Sequence, residues 1–77
     1  MDRNAALEVF AKDYSETMTE VEFFQMLQKG LELLRKNPSA DKLVISRLYG
    51  VEDQKAINIA LSYNEKLMVR LLLDSRI

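Results

Sequence analysis

The stretch Ile57-Asn58-Ile59-Ala60-Leu61-Ser62-Tyr63-Asn64-Glu65-Lys66-Leu67-Met68-Val69-Arg70-Leu71-Leu72-Leu73 decides the fold, because it fits two periodicities. Large apolar residues alternate with small or polar ones up to Tyr63 and again from Leu67, as in the half-buried strands of a hairpin. Apolar residues spaced by three and four also match one face of a helix. Helix-forming residue types, and two acids at the start, favour the helix. We therefore predict an all-α fold, and α+β with a C-terminal β-hairpin at 57–73 is the alternative.

Asn64 lies in the middle of the apolar face of this predicted helix. A buried amide needs hydrogen-bond partners, so three arrangements remain open. Asn64 fixes the register of a buried seam, as a single Asn does in coiled coils, or it caps a separate final helix. In the third arrangement it belongs to a hairpin turn at residues 62–65.

The first 36 residues contain two more amphipathic patterns. Residues 4–15 place apolar side chains at three-four spacing, which predicts a short helix. The sequence Thr17-Met18-Thr19-Glu20 is typical of a capping box, with Thr17 as the N-cap of a second, longer helix. Gly30 lies inside that helix, where it either marks the close approach of a neighbouring backbone or is simply tolerated. The predicted stripes are Leu7, Phe10, Ala11 and Tyr14, and then Phe24, Leu27, Leu31 and Leu34.

A further helical pattern follows Pro38 and ends at Gly50, where we expect a turn with glycine in the left-handed conformation. The final helix is predicted to run from Glu52 to about Asp74. Together these segments predict a compact bundle of about four short amphipathic helices, forming a single helical domain over residues 1–77. A composition of 48% hydrophobic and 30% charged residues is that of a folded chain.

Membrane insertion and export are not expected, because apolar runs reach only three residues and the N-terminal segment carries charges within it. We therefore expect a small soluble protein in the cytoplasm. The absence of Cys from the sequence excludes disulfides and thiolate metal sites. The formal net charge of −1 offers little general attraction for nucleic acid.

The residues needed for most enzyme mechanisms are missing, since the chain contains neither His nor Cys. Carboxylates remain, and Glu16 and Glu20 lie one helical turn apart, but such a pair is typical of a solvated acidic face. We therefore expect no catalytic activity, no catalytic residues, no metal, no cofactor and no small-molecule substrate.

Residues 42–61 resemble the helix-turn-helix of bacterial repressors. Gly50 falls at the turn of the motif, and the small residue Ser46 falls where its two helices approach each other closely. The buried positions of the motif fall on Ile45, Tyr49, Val51, Ala56 and Ile59. The resemblance implies a DNA-binding transcriptional regulator. Glu52 and Asp53 depart from it, since they place negative charge where the helix should meet phosphate. Its DNA contacts would be Arg47, Gln54, Lys55 and Asn58.

The leading hypothesis is a noncatalytic protein–protein interaction module, acting as an adaptor, an assembly chaperone or an inhibitor. A chain of 77 residues buries little surface alone, which favours an oligomer, in the simplest case a homodimer. A second apolar edge of the last helix is the predicted interface, unless the first helix covers it. Its residues are Ile59, Tyr63, Lys66, Arg70, Leu73 and Ile77.

Overall fold

Three α-helices account for most of residues 2–36 and 50–74, which are the residues that the computed structural model describes. Helix α1 spans Arg3–Val9 and continues as a π-helix over Phe10–Tyr14. Helices α2 and α3 span Glu20–Lys36 and Val51–Asp74. The all-α prediction is confirmed for this part of the chain, and the alternative hairpin at 57–73 is wrong. The predicted helix before Gly50 lies outside the described residues, so three of the expected four helices are seen.

Helix α1 begins one residue earlier than predicted, because the Asp2 carboxylate accepts a hydrogen bond of 3.1 Å from the backbone N–H of Ala5. Its buried face consists of small side chains, Ala5, Ala6 and Val9. In the π-helix that follows, each turn contains more residues than an α-helical turn. The predicted stripe is therefore kept only in part: Phe10 and Tyr14 pack against the core, but Ala11 is exposed.

The N-cap of α2 is Thr19 and not Thr17 as predicted, since the Thr19 hydroxyl accepts from the backbone N–H of Glu22 at 3.2 Å. Thr17 belongs to the preceding turn, where its hydroxyl and its backbone N–H both donate to the carbonyl of Tyr14. The turn after the π-helix thus delays the start of α2 by two residues. Within α2, Phe23 lies in the core and Phe24 is half-buried.

The core lies where the three helices meet, and Phe23 and Leu27 of α2 are fully buried in it. The ring of Phe23 lies 5.3 Å from that of Phe10 and 5.7 Å from that of Tyr14, measured between centroids. These tilted aromatic contacts fasten the π-helix to α2. The buried cluster comprises Ala5, Ala6, Val9, Phe23, Leu27, Ile59, Ala60 and Tyr63.

Gly30 marks the close approach of α2 and α3, which confirms one of its two predicted roles. A Cβ added at Gly30 would overlap the carbonyl oxygen of Ala56 and would lie 2.9 Å from the Cβ of Ala60. The two helices meet backbone to backbone at this point because all three residues are small.

Helix α3 runs unbroken from Val51 to Asp74, so Asn64 neither caps a separate helix nor lies in a hairpin turn. It is not buried within the chain either, because the side of α3 that faces the core is that of Ile59 and Tyr63, and Asn64 points outward. Gly50 does not adopt the expected left-handed conformation. Its carbonyl accepts from the backbone N–H of Gln54 at 2.9 Å, which makes Gly50 the entry to α3.

Candidate interaction surface

Two residues of the predicted interface, Ile59 and Tyr63, lie inside the chain's own core, with 0% and 4% of their surface exposed. The hydroxyl of Tyr63 accepts a hydrogen bond of 2.7 Å from the backbone N–H of Asp2. Helix α1 therefore covers this part of α3. This is the second of the two arrangements predicted for the apolar edge, in which the first helix covers it. Neither side chain is accessible to a partner in this conformation.

Lys66 and Arg70 of the predicted interface form ion pairs with the first residues of the chain. The Lys66 ammonium lies 3.3 Å from the Glu8 carboxylate. The Arg70 guanidinium lies 3.6 Å from Glu8 and 3.9 Å from Asp2. Partly exposed pairs of this kind add little stability each, but they hold the two cations on the α1 side of α3. Leu73 is exposed, and Ile77 lies outside the described residues.

A different surface stands out at the C-terminal end of α3, which we call the apolar tip. Its five large apolar side chains each leave between 46% and 65% of their surface exposed. Single exposed apolar residues are ordinary, but a contiguous group of this size is typical of a binding surface. In the sequence, the corresponding signal is the run of residues 67–73, in which Arg70 is the one residue that is not apolar. The tip consists of Met68, Val69, Leu71, Leu72 and Leu73.

The predicted DNA contacts are only partly placed together. Lys55 and Asn58 are exposed on one side of α3 and Gln54 is half-buried, whereas Arg47 lies outside the described residues. Two positions that the helix-turn-helix resemblance buries, Ala56 and Ile59, are indeed buried. A third, Val51, is 73% exposed, so the resemblance holds only in part.

The electrostatics at the start of α3 are set by Asp53, whose carboxylate lies 2.7 Å from the ammonium of Lys29. The hydrogen bond from Lys29 to Asp53, together with the negative charge of Asp53, raises the pKa of Lys29 above its ordinary value. Asp53 thereby ties α3 to α2 close to the contact at Gly30. Its neighbour Glu52 is exposed and adds further negative charge at this helix end.

A shallow groove of about 250 Å³ lies between the π-helical region and α3. Its walls mix acids, cations and apolar side chains, and among the described residues there is no group of three that would hold a metal ion. Within the same residues, no helix combines the length and the apolar character needed to cross a bilayer. The groove is lined by Glu8, Val9, Lys12, Asp13, Ser62, Glu65, Lys66 and Val69.

Comparisons with protein-family models, with curated proteins and with solved structures found no match for this chain.

Proposed function

We propose that this protein is a noncatalytic protein–protein interaction module that docks its partner on the apolar tip of α3. The observation that carries the proposal is the exposure of Met68 and Leu71, at 65% and 61% of their surface. Placing such side chains in water costs free energy, which burial against a partner regains. An adaptor, an assembly chaperone and an inhibitor all use surfaces of this kind.

A protein partner fits the tip better than a lipid surface does. Helices that bind in the membrane interface present Lys and Arg beside their apolar face. Among the described residues, the nearest cations are Lys66 and Arg70, which pair with Glu8 of α1 and with its N-cap Asp2, and Glu65 and Asp74 add negative charge nearby. The charge around the tip is therefore balanced, which suits a protein surface of mixed charge.

Photo-crosslinking in the cell tests whether the tip is occupied. A photoreactive phenylalanine analogue replaces Leu71 in the full chain, and a matched variant carries it at Gln28, an exposed position of α2. We expect a discrete protein adduct from position 71 and none from position 28. The same adduct from both positions, or an adduct from neither, would contradict the proposal. Competition by unlabelled wild-type protein, but not by a Leu71→Glu variant, would show that the tip itself is recognised.

A further inference from the structure

Helix α1 packs on the core with small apolar side chains. Its buried residues are Ala5, Ala6 and Val9. Hydrophobic stabilisation is roughly proportional to the apolar area removed from water, and side chains of this size remove little. A helix of seven residues is also unstable by itself in water. Helix α1 therefore forms only while it is docked, and its docking is weaker than the packing of α2, which buries Phe23 and Leu27 completely.

The polar contacts that fasten α1 to α3 are partly exposed. Near the start of α1, the backbone N–H of Asp2 donates to the Tyr63 hydroxyl at 2.7 Å, and the Asp2 carboxylate lies 3.9 Å from Arg70. Near its end, the Glu8 carboxylate lies 3.3 Å from Lys66 and 3.6 Å from Arg70. The side chains of these ion pairs are between 34% and 51% exposed, so salt screens them. The docking of α1 should therefore weaken as the ionic strength rises.

The contacts that pair α2 with α3 involve no residue of α1. The backbones of the two helices meet at Gly30 and Ala56, where there is no room for a Cβ on the glycine. Lys29 and Asp53 form an ion pair of 2.7 Å beside this contact. Both contacts stay in place when α1 leaves, so the structure allows α1 to open as a separate unit.

The junction between α1 and the π-helix is the point at which α1 separates. Phe10, the first residue of the π-helix, is fastened to α2 by a ring contact of 5.3 Å with Phe23. Helix α1 itself contacts α2 through Arg3, whose guanidinium lies 5.8 Å from the centre of the Phe24 ring and 4.0 Å from Glu20. The Arg3 side chain is 77% exposed, so these contacts add little. Opening therefore stops at Phe10, which the core retains.

We infer that α1 is a strap that opens from α3 while α2 and α3 stay paired, and that its place on α3 is a docking site for an acidic helix of a partner protein. Opening uncovers Ile59 and Tyr63 and frees Lys66 and Arg70 beside them. A helix fits this site when it presents small apolar residues to α3 and carboxylates to both cations, as α1 does. The inference goes beyond the proposed function, because this site and the apolar tip consist of different residues.

Hydrogen exchange of backbone amides in the full chain, followed by nuclear magnetic resonance, tests the opening. The N–H of Ala6 donates to the carbonyl of Asp2 at 3.1 Å and becomes free when the strap opens. We expect it to exchange at least about 10-fold faster than the amides of Leu27 and Ile59, and about 10-fold faster again in molar salt. The Leu27 amide serves as the internal control. An Ala6 amide that exchanges like the other two, or that does not respond to salt, would overturn the inference.

The Glu8→Gln variant tests the ion pairs, because it removes the charge that faces Lys66 and Arg70 and keeps the size of the side chain. Exchange at Ala6 should become about 5-fold faster. The matched control is Glu32→Gln, which removes an exposed ion pair of 3.6 Å with Lys36 inside α2 and should leave Ala6 unchanged. The same Ala6 exchange rate in both variants would contradict the role of the ion pairs and the strap with it.

A fluorescein-labelled peptide of residues 2–14 tests the docking site, since it supplies α1 as a separate molecule. Its binding is measured to the wild-type chain and to the full-length Glu8→Lys variant, whose own strap is repelled by Lys66 and Arg70. In the wild type the tethered α1 competes at a high effective concentration, so the peptide should bind the variant at least about 10-fold more tightly. A control peptide with Asp2→Lys and Glu8→Lys should not bind. No binding of the acidic peptide to the variant, or equal binding of both peptides, would overturn the docking site.

Discussion

The two halves of α3 contain similar proportions of apolar residues, but only the first half is buried. Between Val51 and Tyr63, α3 packs against α1 and α2 through small residues such as Ala56 and Ala60, and Gly30 of α2 fits directly against them. Between Asn64 and Asp74, large side chains such as Met68 and Leu71 are exposed. Whether an apolar face of a helix is buried therefore depends on whether another helix packs against it. Where α2 and α3 pack most closely, both helices contribute small residues.

This difference leads us to assign different roles to the halves. The first half holds the fold together, and its substitution should lower stability whatever the protein concentration. The exposed apolar side chains of the second half contribute little within the chain, so their substitution should change association instead. Three predictions separate these roles, and they are ordered by the size of the expected effect.

The largest contrast is expected between Ile59→Ala and Leu71→Ala. Ile59 is fully buried, so removing three carbons leaves a cavity and should cost about 2–5 kcal/mol of unfolding free energy. Leu71 is 61% exposed, and its replacement should change monomer stability by less than about 0.5 kcal/mol. Urea unfolding at the lowest workable protein concentration measures both. Equal losses for the two variants would show that the tip is covered within the chain.

A smaller effect is expected at the contact between α2 and α3. In a helix, alanine is normally favoured over glycine by up to about 1 kcal/mol, but at Gly30 the added Cβ would lie 2.6 Å from the carbonyl carbon of Ala56. Because a backbone atom must move, Gly30→Ala should destabilise the fold by about 1–3 kcal/mol.

The control for this variant is Gly50→Ala, because no atom of residues 2–36 or 50–74 lies within 4 Å of a Cβ added there, and the glycine is not in the left-handed region. Its melting temperature should match that of the wild type. A Gly30→Ala variant that is more stable than the wild type would show that α2 and α3 are further apart than the structure places them.

The helical fold could be predicted from the sequence because helix-forming residues and three-four spacings agree over α2 and α3. The close approach at Gly30 was also foreseen as one of two alternatives, since a glycine inside a strong helix needs a reason. Both predictions depend on local chemistry, which the sequence displays directly.

The orientation of α3 could not be predicted in the same way. Apolar residues lie on two faces of the helix, one with Ile59 and Tyr63 and another with Leu61 and Met68, and periodicity does not say which face another helix will cover. The first face was expected to be either an interface or covered by the first helix, and α1 covers it at Ile59 and Tyr63. The second was expected to be buried, and it is buried at Ile57 but exposed from Met68 onward. The choice depends on α1, whose small side chains Ala5 and Ala6 lie close against the first face. A contact between helices so far apart in the chain leaves no pattern in the local sequence of either helix.

The smallest effect is expected at the ion pair that closes the buried half of α3. Replacing Asp53 by Asn removes the negative charge and weakens the hydrogen bond, so the pKa of Lys29 should fall back towards its ordinary value. Because this pKa is raised in the folded chain, the pair contributes stability at neutral pH, and the contribution is lost as the pH rises above about 10.5. Nuclear magnetic resonance titration of the Lys29 Cε shift measures the change, with Lys36 as an exposed internal control. An unchanged Lys29 titration in the Asp53→Asn variant would mean that the pair does not form in solution.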